Sequence, residues 1–237
     1  MIELACRELN GSEALIAWPR GAAARPLPCV VFYHGFTSSK VVYSYFAVAL
    51  AGAGFRVIMP DAPDHGSRFS GDAQQRMQRF WPILVNNFHE FPGLRRAIIE
   101  EGWLLDERLG VGGASMGAMT ALGLMTRHAE IKCVASLMGS GYLSALSQTL
   151  FPSPKMPGDL GEWDVGHQLA ALANRPLLLW HGEEDDVVPA AESFRLQQAL
   201  AELGWAANLT SRWQAGVRHR ITPEALDETV RFFRQHL

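Results

Sequence analysis

The sequence predicts an α/β protein built on a mostly parallel sheet, and three observations carry that prediction. Short apolar runs rich in β-branched residues alternate with helix-period patterns along the chain, the signature of successive βαβ units. A glycine-bracketed serine, Gly113-Ala114-Ser115-Met116-Gly117, stands between one such run and a helix pattern. The length of 237 residues suits a single domain, which at this size buries roughly 70–75% of its unfolded surface and folds without disulfides or metal.

Taken in order, Ile2–Glu8 and Glu13–Trp18 read as short strands, close enough in sequence to pair antiparallel at one edge. Cys29–Tyr33 and Arg56–Met59 are apolar strands with a helix pattern, Val42–Ala53, between them. A second helix pattern covers Phe88–Glu101, followed by the strand Leu109–Gly112 and the small-residue helix Met116–Arg127. Strands Cys133–Met138, Pro176–Trp180 and Asn208–Trp213 complete the alternation, with helix Ala191–Leu203 between the last two. The final helix, Pro223–His236, carries its own start signal. Thr222 is placed to cap, Pro223 occupies the first helical position, and Glu224 faces the positive end of the dipole.

Two stretches interrupt this alternation. Ser67–Phe88 and Ser140–Asn174 carry aromatic residues, prolines and weak helical signals. Loops that long are uncommon within a compact domain and are often functional. Both follow the carboxyl ends of predicted strands, where open parallel sheets place ligands. The expectation is one domain spanning 1–237 with a small cap from about 67–88 and 140–174. Trp81, Phe88, Phe151 and Trp163 would line an apolar pocket there or simply pack the cap.

Composition excludes several classes. Apolar residues make up 48% and charged residues 19%, which is globular rather than disordered. The net charge of −3 comes with dispersed basic residues, so no nucleic-acid footprint is present. Glu3, Arg7 and Glu8 occupy the place of a signal peptide's apolar region. The longest uncharged run, Leu109–Thr126, holds five glycines and the serine turn and reads as strand-turn-helix, not as a membrane span. Cys6, Cys29 and Cys133 are too few and too irregularly spaced for a disulfide framework and are expected to be buried thiols. A cytoplasmic protein with no nucleic-acid or membrane partner follows.

The serine turn carries the chemistry. In G-x-S-x-G a strand bends sharply into a helix, the serine is held in a strained conformation, and its hydroxyl stands clear of the sheet. The glycines permit an approach too close for a β-carbon. Ser115 becomes a nucleophile only if a histidine takes its proton and an acid orients that histidine. Turns of this type are followed in chain order by the acid and then the histidine. Eight histidines are present. His128 and His236 end helices, His89 and His167 lie in the irregular stretches, and His34 and His181 precede glycines at strand ends, where structural hydrogen bonds are expected. His219 alone sits between the last strand and the last helix. Arg218 and Arg220 flank it and are expected to be solvated. For the acid, Glu183, Glu184, Asp185 and Asp186 are adjacent after strand Pro176–Trp180, and the spacing leaves all four open. Two backbone N–H groups must also meet the developing oxyanion. Met116, after the serine, offers one, and Phe36, after His34-Gly35 at the end of the third strand, offers the other.

With His34-Gly35-Phe36, Asp61-Ala62-Pro63-Asp64-His65-Gly66-Ser67, the Ser115 turn, the carboxylate loop and His219, the chain resembles the α/β-hydrolases throughout its length. Phe32-Tyr33-His34-Gly35-Phe36-Thr37-Ser38-Ser39 and Gly112-Gly113-Ala114-Ser115-Met116-Gly117 are similar to phrases of their small bacterial carboxylesterases. Dienelactone hydrolases and the catalytic domains of prolyl oligopeptidase-type peptidases are more loosely similar. The resemblance implies an eight-stranded, mostly parallel sheet, carboxylic-ester hydrolysis and no cofactor. It also singles out Asp185, because Gly182 to Pro189 matches the family's G-x-x-D-x-x-V-P acid loop. Serine in place of the cysteine typical of dienelactone hydrolases sets lactone hydrolysis lower.

The expected activity is therefore cleavage of small, short-chain acyl esters by Ser115, His219 and Asp185, with the Phe36 and Met116 amides as oxyanion donors. A thioesterase or peptidase using the same residues, or a catalytically silent binding protein of the fold, are the competing readings. An intact serine, acid and histidine in order weighs against the last. Asp61, Asp64 and His65 cluster in sequence but lack the spacing of a metal site, and Gly110, Gly112 and Gly113 lack the dinucleotide-binding spacing.

Overall fold

The computed structural model describes residues 1–153 and 155–237. Its strands are β1 (Ile2–Leu9), β2 (Ser12–Pro19), β3 (Leu27–Tyr33), β4 (Arg56–Pro60), β5 (Leu104–Ala114), β6 (Ile131–Leu137), β7 (Leu177–Gly182) and β8 (Leu209–Gln214). They form one eight-stranded sheet in the order 1-2-4-3-5-6-7-8. β1 and β2 run antiparallel to each other, and β2 runs antiparallel to β4. Every other pairing is parallel. The interior strands are nearly continuous apolar runs because helices cover both faces of the sheet.

The helices are α1 (Ser44–Gly52), α2 (Ala73–Met77), α3 (Phe80–Glu100), α4 (Met116–Arg127), α5 (Leu143–Leu146), α6 (Ala190–Glu202) and α7 (Pro223–His236). On one face Phe46 and Leu50 of α1 and Phe233 of α7 bury against Val30, Val57 and Leu178. On the other, Phe88 and Phe91 of α3, Leu122 of α4 and Leu196 of α6 pack against Val31, Val111 and Leu179. Each such side chain contributes roughly 1.5–3 kcal/mol when fully buried. Thr222 caps α7 as expected, accepting the Ala225 N–H at 3.2 Å.

Two elements are longer than their patterns predict. β5 begins at Leu104 rather than Leu109, because Asp106 and Glu107 adopt positive φ where the β3–β5 register shifts. This bulge lets a charged stretch continue the strand while facing solvent. α3 begins at Phe80 rather than Phe88. Pro82 lies in its first turn, where a missing N–H is harmless, whereas Pro92 in the interior gives up one helical hydrogen bond. Burial of Trp81, Leu84 and Phe88 outweighs that loss.

The stretch 67–88 therefore consists of a 3₁₀ turn at Gly66–Arg68, α2 capped by Asp72, and the start of α3. Among its described residues, the stretch 140–174 holds α5 and three 3₁₀ turns. Their aromatic side chains join them. Phe88 stacks on Trp163 at 4.4 Å and Phe80 on Phe151 at 4.8 Å, while Trp81 donates to the carbonyls of Leu150 and Phe151.

Cys29 and Cys133 are buried thiols, but Cys6 on edge strand β1 is exposed, contrary to the sequence expectation. β1 has only one neighbouring strand, so its outward face meets water. Burial pushes the Cys29 thiol up to about 12, so the two buried cysteines act as small apolar side chains. Among the described residues no helix is long and apolar enough to cross a membrane.

The tightest approach joins β3 to the start of α4. A β-carbon on Gly117 would overlap the carbonyl of Tyr33, and one on Gly113 would meet the backbone of Gly117. Main chain cannot step aside as a side chain would. Gly117→Ala should therefore destabilise the protein by about 3 kcal/mol or more, read as a lower urea midpoint. Gly52→Ala, where no atom lies within 4 Å, should be neutral or stabilise by up to about 1 kcal/mol.

Candidate active site

At the end of β5 the chain turns through Ser115, whose φ of 55° and ψ of −116° are strained for a residue with a β-carbon. The turn is held from both sides. The Ser115 N–H donates to Leu137 of β6 at 2.8 Å, and its carbonyl accepts the Met119 N–H at 3.0 Å, opening α4. The hydroxyl thus projects beyond the carboxyl ends of the central strands.

Two loops from the β8 side of the sheet converge on it. His219 lies between β8 and α7, and its Nε2 is 2.9 Å from Ser115 Oγ. Its Nδ1 is 2.7 Å from Asp185 Oδ2. The acid loop is fastened to the histidine loop by backbone bonds, Glu183 N–H to Gln214 O at 2.9 Å and Glu184 N–H to Val217 O at 3.0 Å. Gly182 allows this contact, since a β-carbon there would overlap the Val217 carbonyl.

The four adjacent carboxylates separate by environment. The Asp185 side chain is fully buried, and its Oδ1 accepts the N–H groups of Val187 at 2.9 Å and Val188 at 2.8 Å. Asp186 faces solvent and pairs with Arg218. Glu183 and Glu184 are exposed, as are Arg218 and Arg220. Burial alone would raise the Asp185 pKa, but hydrogen bonds from His181, His219 and the Val187 N–H, with the histidine charge, outweigh it and hold the carboxyl well below the usual range. Asp185 is thus ionised wherever the enzyme is folded at ordinary pH.

Phe36 and Met116 provide the two candidate oxyanion N–H groups. Met116 is the first residue of α4, where an N–H has no acceptor within the helix. Phe36 follows Gly35, where a β-carbon would stand 3.6 Å from Ser115 Cβ, so that loop passes close to the serine. The Phe36 ring meets Phe80 at 4.9 Å, Phe151 at 5.2 Å and His65 at 5.2 Å.

Sequence reasoning left the fastening of this loop unread. His65 Nε2 accepts the Thr37 N–H at 2.9 Å while its Nδ1 faces Pro63 O at 2.8 Å. His34 Nε2 accepts the Ala62 N–H at 3.0 Å while its Nδ1 faces Gly35 O. Each ring is therefore a neutral Nδ1–H tautomer that donates at one end and accepts at the other. Burial favours that state, pushing His34 down to about 4 and lowering His65 as well. Beside them Asp61 accepts the Lys40 and Ser67 backbone N–H groups at 2.8 and 2.9 Å. The buried Lys40 ammonium pairs with Asp61 and, at 2.9 Å, with Glu13. The His-Gly and Asp-to-Ser67 motifs signal such a loop, but their partners lie far along the chain.

The neutral histidines make stability fall with acid. Unfolded histidine takes a proton near about 6.5, whereas folded His34 resists protonation until about 4. Between those values the unfolded state binds more protons, so stability declines as pH falls, with a limiting slope of about 1.4 kcal/mol per pH unit per histidine. Asp61 and Asp185, both held low, lose their contribution only below the unfolded carboxylate value of about 3.9. Urea titrations across this window should show the decline. His34→Gln, which can still accept the Ala62 N–H, should flatten it.

Comparison with known proteins places this chain in a family. The model of the prolyl oligopeptidase family matches residues 42–237. Over the whole of both chains the sequence is 61% identical to esterase YjfP of Escherichia coli K12 and 30% identical to putative esterase YitV of Bacillus subtilis 168. The crystal structure of TT1662 from Thermus thermophilus has the same fold, with a TM-score of 0.84 at 23% identity, covering 99% of this chain and 98% of that one. The chain belongs to the prolyl oligopeptidase family, as a hydrolase built on the α/β-hydrolase fold.

Proposed function

We propose that the protein is a serine carboxylesterase that cleaves small, short-chain acyl esters through an acyl-enzyme, with Ser115, His219 and Asp185 as its triad. The observation that carries this reading is the unbroken line from Ser115 Oγ to His219 to Asp185, at 2.9 and 2.7 Å. His219 Nε2 takes the serine proton as Oγ attacks the ester carbonyl, and Asp185 stabilises the imidazolium without taking its proton. The carbonyl oxygen, now an anion, meets the N–H groups of Phe36 and Met116. His219 then protonates the departing alcohol, and water repeats the sequence on the acyl-enzyme. The same residues are competent for thioesters and amides. Esters are favoured because both full-length relatives are named esterases.

The preference for short chains is supported by the aromatic wall beside the serine. Phe36, Phe80 and Phe151 pack ring against ring next to the candidate oxyanion N–H of Phe36. Phe80 and Phe151 come from the stretches 67–88 and 140–174, which we read as the substrate-facing cap. Each accommodated methylene is worth roughly 0.8 kcal/mol, so kcat/KM should stop rising after the first few carbons across a series of p-nitrophenyl esters. A steady climb to palmitate would refute this.

Ser115→Ala should leave the fold intact and remove nearly all turnover, on the order of 10⁶ in kcat. A fluorophosphonate should label Ser115 by mass spectrometry. Asp185→Asn should lose about 10⁴ in kcat by favouring the wrong imidazole tautomer. Asp186→Asn, which touches only solvent and Arg218, should stay near wild type in rate and within about 0.5 kcal/mol in stability. Reversal of the two results would move the acid to Asp186.

A further inference from the structure

A second imidazole stands behind the candidate acid, and the mechanism above does not use it. His181, near the end of β7, is fully buried. Its Nε2 lies 2.9 Å from the Val188 carbonyl and 3.2 Å from Asp185 Oδ2. Its Nδ1 lies 2.8 Å from Ser193 Oγ in α6, which is itself 3.2 Å from the Gly139 carbonyl. A carbonyl and an ionised carboxylate only accept hydrogen bonds, so Nε2 must carry a proton. The Ser193 hydroxyl sits between Nδ1 and the Gly139 carbonyl, sharing its one proton between them. The ring is held at both ends and carries a proton on Nε2, whereas His34 and His65 carry theirs on Nδ1.

Two imidazoles therefore converge on one oxygen of Asp185, His219 at 2.7 Å and His181 at 3.2 Å, while the other oxygen is held by two backbone N–H groups. The remaining charges nearby are engaged elsewhere. Asp186 pairs with Arg218, and Glu192 of α6 accepts from Ser140 Oγ at 2.8 Å. We infer that His181 is a positioning residue for the acid and base. It aims Asp185 Oδ2 at His219 and disperses the carboxylate's charge, so that the proton stays on His219 during attack. This rests on the triad reading, and the tests separate the two.

The experiment compares His181→Leu, His181→Gln, Ser193→Ala and Asp185→Asn for kcat, KM, urea stability and the pH profile of kcat/KM on a short-chain p-nitrophenyl ester. Folded His181→Leu should lose about tenfold to a hundredfold in kcat, the range for a lost hydrogen bond to a charged group, with KM little changed. Its acid limb should move to higher pH, because the undispersed carboxylate holds a proton on the acid–base pair more tightly. His181→Gln, which offers an amide N–H in place of Nε2–H, should recover most of kcat and return the limb. Ser193→Ala frees one end of the ring and should shift the limb in the same direction by less. This variant decides the matter if His181→Leu does not fold. An unmoved limb in the folded variants, or a loss of kcat that glutamine does not recover, overturns the inference. Full activity in Asp185→Asn would overturn the triad reading instead.

Discussion

The contact between Gly117 and the carbonyl of Tyr33 is the constraint on which the rest of the molecule depends. It brings the first turn of α4 down onto the end of β3, closer than any side chain would allow. Because that turn is so tight, Ser115 is forced into positive φ and its hydroxyl is lifted clear of the sheet. The same closeness sets the end of β3, and hence Gly35 and Phe36, beside the serine. The candidate nucleophile and oxyanion donors are thus placed by one steric fact, and the neighbouring strands supply the hydrogen bonds that keep it.

Around this point the protein uses histidine in contrasting ways. His34 and His65 are buried and neutral, each bridging a backbone donor to a backbone acceptor. They tie the β3 loop to the loop after β4. His219 is partly exposed, with Nε2 toward Ser115 and Nδ1 toward Asp185. The difference follows from partners rather than residue type. Backbone carbonyls on Nδ1 fix the tautomer of His34 and His65, whereas Nδ1 of His219 meets the Asp185 carboxylate. Lys40 and Asp61, both buried, neutralise each other beneath the same loop. Breaking such a pair leaves an unpaired buried charge, which is more costly than the pair is stabilising.

The carboxylate loop after β7 illustrates how environment divides adjacent residues of one chemistry. Asp185 and Asp186 are neighbours, yet one is enclosed by the two loops and receives imidazole and backbone donors while the other turns to water and Arg218. The split falls within a turn, closed by the Asp185 N–H to the Gly182 carbonyl at 3.2 Å. The register is set by the bonds from Glu183 and Glu184 to the β8 strand and histidine loop.

Much of this was legible in the sequence because it rests on local chemistry. Alternating apolar runs specified the strands and their parallel order of succession, and the Thr222-Pro223-Glu224 signal fixed the start of α7. The glycines around Ser115 announced the turn, since no other residue tolerates that approach. His219 stood out by its place before the last helix. The helical start at Phe80 was hidden by Pro82, which is harmless in a first turn, and it rests on burial of Trp81, Leu84 and Phe88. The exposure of Cys6 depended on β1 lying at the sheet edge, which no local pattern encodes. The separate surroundings of Asp185 and Asp186 and the partners of His34, His65, His181 and Lys40 were set only in the folded chain. A hydrogen bond between residues far apart in sequence exists only once the sheet has brought their loops to one edge, and its protonation state follows from that meeting.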